Sequence, residues 1–269
     1  MDNQFDKRPE LVQVSDWHPQ GVLKTLAASS RNFVGLLEDE CSVLKYPQQK
    51  TQDAIDALHE EAARFEALGP HQNLVFFKGV HKDGLIFEFC EKGQLEDVLQ
   101  SQLPLTSDNK KNIAKQITLC LRHLHEKHFI HCDLNVNNVF ITAALVAKVG
   151  DIQGQLYNPD GTVELPTMSQ ENAKSRHPQA EDDEFSPRTD IFALGTLLFQ
   201  LCYGHPPFPD LDEYRDAETV QARYRDGDFP LCASSATGMD KIICKCWNSG
   251  YENALEILRD LDDIGTEAS

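Results

Sequence analysis

The chain has 269 residues, 41% of them hydrophobic, and carries 43 acidic against 25 basic side chains for a formal charge of −18. That length can bury a sizeable core, as one large domain or as two lobes around a cleft. A field so negative repels phosphate backbones, which argues against nucleic acid or an anionic membrane as a partner and leaves solubility as its plain use.

The first residues, Met1 to Arg8, are polar and carry no signal-peptide core. Cys41 to Tyr46 reads as a strand. Thr51 to Leu68 reads as a helix, with Ile55, Leu58, Ala62, Phe65 and Leu68 on one face and Gly69-Pro70 as its stop. Leu74 to Val80 and Leu85 to Cys90 are apolar runs parted by a His-Lys-Asp-Gly turn, so two more strands are expected. From Gly93 onward the chain becomes mainly helical. Ile113, Ile117, Leu121 and Leu124 recur at helical spacing, as do Ile191, Leu194, Leu198 and Leu201, and later Leu255, Leu258 and Leu261. Between these helices, Asn138 to Val149 shows two short β-branched runs about a turn near Ala143 to Leu145, the pattern of a hairpin. The longest apolar stretch, Ile191 to Gly204, is interrupted by Gly195 and Gln200 and is too short to span a bilayer. The cysteines Cys41, Cys90, Cys120, Cys132, Cys202, Cys232, Cys244 and Cys246 form no C-x-x-C pair. Buried free thiols in a reducing compartment, and so a cytoplasmic chain, are expected.

The chemistry concentrates in Ile-His-Cys-Asp-Leu-Asn-Val-Asn-Asn-Val-Phe-Ile, residues 130 to 141. Asp133 stands five residues before Asn138, on a loop between a long helix and the hairpin. Phosphoryl transfer needs a carboxylate beside the attacking hydroxyl and hard oxygen ligands for a metal. A further carboxylate, Asp151 of Gly-Asp-Ile-Gln-Gly, follows the hairpin, whose fold-back brings it toward Asn138.

These residues resemble the protein-kinase catalytic loop H-R-D-x-x-x-x-N and the metal aspartate of D-F-G. Ser-Val-Leu-Lys, 42 to 45, is similar to the strand motif V-A-I-K, and Glu61 lies on the helix that follows. Leu-Ile-Phe-Glu-Phe-Cys, 85 to 90, resembles the strand that enters the adenine-binding hinge. Asp190-Ile-Phe-Ala-Leu-Gly, Gly204-His-Pro-Pro-Phe and Lys245-Cys-Trp247 look like segments of a protein-kinase C-lobe. The resemblance covers nearly the whole chain. It implies an α+β, bilobal fold in a single domain, 1–269: a small β-rich N-lobe with one helix, 1–89, and a larger, mainly helical C-lobe, 90–269. It implies an ATP- and Mg²⁺-dependent transfer to a protein substrate, with Ser/Thr as the hydroxyl. Asp133 would orient and deprotonate that hydroxyl, while Asn138 and Asp151 would hold Mg²⁺. Lys45, oriented by Glu61, would hold the α- and β-phosphates. Val34, Val43 and Phe140 would contact the nucleotide, with Glu88 and Cys90 offering backbone contacts and Phe87 as gatekeeper. Asp190 would brace the catalytic loop, or serve only as a helix N-cap. The resemblance says nothing of oligomeric state.

The sequence also departs from that pattern. Aligned on Val34, the glycines of G-x-G-x-x-G-x-V fall on Ala27, Ser29 and Asn32, each costing about 1 kcal/mol wherever φ must be positive. Asn135 replaces the usual lysine of Ser/Thr kinases, which removes a cation beside developing charge. Cys132 replaces an arginine that pairs with a phosphorylated activation loop, so such phosphorylation is not expected to be an obligatory switch. Ile152 fills the apolar position of D-F-G, and either Gln153 or Gly154 stands for its glycine. No A-P-E precedes Asp190, and no arginine follows Lys-Cys-Trp to pair with it. The polar stretch 165–188, with Ser169, Ser175, Ser186 and the acidic run 181–184, predicts disorder. His123, His125, His128 and His131 cluster at a helix end, where scaffold roles are preferred over metal binding. The rival functions are a pseudokinase that acts as a binding module and a kinase of small molecules.

Overall fold

A computed structural model describes residues 18–29, 31–101, 105–231 and 238–264. Cys232 and residues 1–17, read above for a leader, lie outside the described residues. The first sheet is antiparallel, in the order β1 (Val22–Ala28), β2 (Asn32–Leu37), β3 (Ser42–Pro47), β5 (Gly84–Glu88), β4 (Phe77–His81). In β3 the strand period separates buried Leu44 and Tyr46 from half-buried Val43 and Lys45 on the opposite face. Directly paired residues share a face, so the Val34–Lys45 and Val43–Phe87 pairs place Val34 beside Val43 and Lys45.

Helix α1 (Gln52–Leu68) follows β3, as its sequence predicts. Its first turn is capped by Thr51, whose hydroxyl accepts from the Ala54 N–H; Gly69, at φ 68°, closes the last turn with its N–H on the Phe65 carbonyl. The buried face holds Leu58, Ala62, Phe65 and Leu68, and also Glu61 and Arg64, which the apolar period does not reveal. Phe65 packs on Phe77 and Phe87 with ring centroids 5.5 and 5.1 Å apart. Burying each such ring stabilises the fold by roughly 1.5–3 kcal/mol.

One strand boundary differs from expectation. β4 begins at Phe77, because Leu74 and Val75 pair elsewhere: the Val75 N–H donates to Val149 O and the Val149 N–H to Asn73 O, both at 2.8 Å. The first half of that apolar run therefore ties the sheet to the hairpin instead of extending β4.

Beyond the sheet, α2 (Leu95–Gln100) and α3 (Ser107–Glu126) lead into β6 (Phe129–Ile130). A 3₁₀ turn, Val136–Asn138, enters the expected hairpin of β7 (Val139–Ile141) and β8 (Ala147–Val149). β9 (Gln155–Tyr157) pairs with β6 and with β10 (Val163–Leu165), and the remaining helices are α4 (Pro187–Tyr203), α5 (Ala217–Arg225), α6 (Gly238–Trp247) and α7 (Ala254–Asp263). This is the expected α+β, two-lobed architecture. α4 is its buried centre, and Gly195 lets α6 approach; a Cβ there would lie 2.8 Å from Cys246 Cβ. No helix of the described residues is long and apolar enough to cross a membrane, and none of the described cysteines is joined in a disulfide.

The stretch 165–188 is packed, against the disorder its composition predicts. Thr196 Oγ1 and Tyr224 OH donate to the Lys174 carbonyl at 2.8 and 3.0 Å, and Gln221 Nε2 donates to the carbonyls of Ala173 and Arg176. Lys174 Nζ reaches Phe208 O, and His177 packs on the Phe192 ring. Side chains from α4 and α5 thus satisfy the backbone of a segment with few apolar residues of its own. These bonds hold it where the A-P-E ion pair is missing.

Candidate functional site

β3 and α1 bring the first charges together. Lys45 Nζ lies 2.9 and 2.8 Å from the two Glu61 oxygens and 2.7 Å from Asp151 Oδ1. Burial works to lower the Lys45 pKa, but Asp151 and then Glu61 outweigh it, so the ammonium is held above its usual range. Burial and the Asp151 charge raise Glu61 against the pull of Lys45. Asp151 goes the other way: burial opposes its ionisation, yet contact with Lys45 lowers it. Asp151 has φ 53°, a strained conformation for a side chain with Cβ.

The catalytic-loop residues come together on the other side of the cleft. Asn135 Nδ2 donates to Asp133 Oδ1 at 2.7 Å, and Asn138 Nδ2 donates to Asp133 Oδ2 at 3.0 Å. Burial pushes the Asp133 carboxyl up to about 6, opposed by His131 and the two amides. The loop is linked to the turn that carries Asp151 by the Gly150 N–H on Asn138 O, at 2.9 Å. Beneath it, Asp190 accepts from the backbone N–H groups of His131 and Cys132 at 2.8 and 3.1 Å, and lies 2.9 Å from His125 Nε2. Asp190 is not the N-cap of α4; that position belongs to Ser186, so the carboxylate is left for the loop.

The four histidines have separate structural surroundings. His123 Nε2 bonds Leu68 O and its ring stacks on His71; His131 Nε2 bonds Gly150 O; His128 is exposed. Among the described residues, no group of three or more His, Cys, Asp or Glu could hold a metal.

The strand end at 87–90 refines two expectations. The Glu88 N–H donates to Phe76 O, and its side chain accepts from Phe76 N–H and from Lys148 Nζ at 2.7 and 2.8 Å. The Cys90 carbonyl accepts from Gly93 N–H. Phe87 is buried against Phe65 and Phe77. Phe140 sits half-buried opposite Lys148, against Gly150.

The β1–β2 turn overturns the expected cost of the missing glycines. None of Ala27, Ser29 and Asn32 has a positive φ, so no left-handed strain arises there. Instead Ser29 N–H donates to Asn32 O at 2.8 Å, and Asn32 N–H donates to Ser29 Oγ at 3.1 Å. Both amides are engaged inside the turn, which is a different impediment to an anion cradle from the one the sequence predicts.

At 151–154, Ile152 is fully buried, and Gly154 is the required glycine: a Cβ there would stand 2.0 Å from Ile130 O. Gln153 instead donates from Nε2 to Asp151 Oδ1 at 3.0 Å and toward Glu61 Oε2 at 3.4 Å. The roles of three residues escaped the sequence reading. Gln153 is one and Arg64 another, fully buried with donors on the carbonyls of Gly154 and Pro166. The third is Glu171, buried with Oε1 lacking a hydrogen-bond partner and pushed up to about 8 by burial and the Asp190 charge.

A family model described as protein tyrosine and serine/threonine kinase matches residues 36–257. Among curated proteins, the chain is 26% identical over 187 residues to mitogen-activated protein kinase kinase kinase 12 of Rattus norvegicus, covering 68% of this chain and 21% of that protein. It is 28% identical over 211 residues to serine/threonine-protein kinase VIK of Arabidopsis thaliana, covering 72% and 47% respectively. It is also 28% identical over 247 residues to the high affinity nerve growth factor receptor of Gallus gallus, covering 77% and 30%. The chain thus spans between about a fifth and about half of the length of these relatives.

Proposed function

Because the chain belongs to the family of protein tyrosine and serine/threonine kinases, we propose that it transfers the γ-phosphoryl group of ATP to a serine or threonine hydroxyl of a protein. The observation that carries this is Lys45 held between Glu61 and Asp151, across the cleft from an Asp133 fixed by two amides. We take residues 1–269 as one kinase domain, with lobes 1–89 and 90–269.

In this reading Asp133 orients the substrate hydroxyl and accepts its proton; a carboxyl near 6 is ionised at neutral pH and still basic enough for that task. Asn135 and Asn138 fix the two carboxylate oxygens. Lys45 binds the α- and β-phosphates, with Glu61 holding it in place. Val34, Val43 and Phe140 contact the base. Glu88 has its carbonyl, and Cys90 its N–H, for the adenine edge, since their other backbone groups are engaged. Asn138 uses its amide nitrogen on Asp133, which leaves its oxygen to join Asp151 as hard ligands suited to Mg²⁺. Bound Mg-ATP supplies the transferable phosphoryl group and neutralises part of its charge. A reducing, cytoplasmic setting suits the buried thiols of Cys90, Cys120, Cys132 and Cys246.

The first test is the thermal midpoint with ATP plus Mg²⁺, in the wild type and in Asp151→Asn. A metal-dependent rise that the substitution weakens supports the site; at about 100 times Kd the stabilisation is roughly 2.7 kcal/mol. Turnover on paired Ser, Thr and Tyr peptides, abolished by Asp133→Asn, decides catalysis and hydroxyl class. The engaged amides of the β1–β2 turn favour the second reading, a binding module without catalysis, and no shift at millimolar ATP would turn the choice to it.

A further inference from the structure

Arg64 lies on α1 three residues after Glu61, on the same helix face. It has no exposed surface. A guanidinium in that position is costly to desolvate unless its donors are filled. Burial pushes its pKa down, with Glu60 opposing. Its Nε donates to Gly154 O at 2.9 Å, Nη2 donates to Pro166 O, and Nη1 lies 3.4 Å from Glu60. The two carbonyls mark the ends of the segment that runs from the Asp151 turn into the packed stretch 165–188.

One helix therefore carries both the partner of Lys45 and the anchor of that segment. Gln153 adds a second link, from Asp151 to Glu61. Gly154 admits no side chain between Arg64 and the catalytic loop, because Ile130 O stands in that space. Cys132 is buried in the loop, where it offers no positive charge to attract a phosphate. The segment is thus fastened by its backbone to an arginine inside the protein.

We propose that Arg64 is a positioning residue that fixes the segment 153–166 against α1, so that the Lys45–Glu61–Asp151 arrangement is set without phosphorylation of that segment. A phosphate tether can be added and removed by other enzymes, whereas this one is permanent. Only its effect on turnover rests on the kinase reading; the positioning stands apart from it.

Hydrogen exchange on the full chain, with and without phosphatase treatment, tests the proposal in wild type, Arg64→Lys and Arg64→Gln. Lysine keeps the charge but presents a single ammonium that cannot span two carbonyls. In the wild type, the Met168 amide, bonded to Gln153 O at 2.8 Å, is expected to stay equally protected after phosphatase. In Arg64→Lys, amides across 153–168 are expected to exchange about tenfold faster while those of α3 and α4 do not change. The thermal midpoint controls for folding, and if Arg64→Gln does not fold, Arg64→Lys carries the test. Unchanged protection in Arg64→Lys would overturn the proposal, as would protection that phosphatase removes from the wild type. If the wild type turns over, kcat should fall about tenfold in Arg64→Lys with the peptide KM within about twofold. A wild type without turnover sinks only the kinase reading, because the exchange experiment still decides the positioning.

Discussion

Asp133 owes its basicity to burial, and its two amide partners set how far that goes. Asn135 and Asn138 both stabilise the ionised form, so removing one raises the pKa further. In the proposed reaction Asp133 must be unprotonated to act as the base, so activity should fall as pH drops through about 6. The acidic limb of kcat/KM is expected near that value in the wild type and at higher pH in Asn135→Ala; an unmoved limb would detach Asn135 from the base. Lys45, Glu61, Asp133, Asn138 and Asp151 were legible because each has a fixed place in a spaced pattern. Arg64, Gln153 and Glu171 were not, because their roles depend on burial and on carbonyls far away in sequence. A buried arginine reads like a surface one until its partners are known.

At the scale of elements, α1, α3, α4 and the hairpin follow from periodicity and caps. The stretch 165–188 does not, since the groups that order it come from α4 and α5. Glu171 lies within it and is neutral-favouring: its folded pKa, about 8, is above that of an unfolded glutamate. The sign follows from linkage. Stability from the protonated form is complete below the unfolded pKa, near 4.5, and is lost as pH rises toward about 8. Glu171→Gln should therefore raise the thermal midpoint by several degrees near pH 8 and barely change it near pH 5, a difference of order 1–4 kcal/mol. An equal effect at both values would mean that the carboxyl ionises freely in the folded chain.

Across the whole molecule, the sheet-rich and helical halves are joined by backbone and side chain: Val75 to Val149, Asn73 Nδ2 to Ala147 O, and Lys148 to Glu88. The two-part architecture was visible in the order of strand-like and helical patterns along the chain, but these links were not, because they pair residues dozens of positions apart. The charge of −18 acts at the same scale. An anionic nucleotide approaches a like-charged protein, so screening should help it. Raising ionic strength from about 10 to about 150 mM, which shortens the Debye length from roughly 30 to 8 Å, should speed nucleotide association measured by stopped flow. A rate that falls with salt would point to a local positive funnel that outweighs the net charge.

The rings of Phe65, Phe77 and Phe87 pack on one another between α1 and the sheet, with centroids 5.1 to 5.5 Å apart. In the proposed nucleotide site, with Phe87 as gatekeeper, cutting Phe87 back to glycine would open a hollow that no natural adenine nucleotide fills, and a purine enlarged at its inner edge would fit it while being refused by kinases that keep a large side chain there. If the proposed transfer takes place, the triphosphate of that purine nucleoside, radiolabelled at its γ-phosphorus or carrying a γ-thiophosphate, would pass its label in a crude extract only to what the variant phosphorylates.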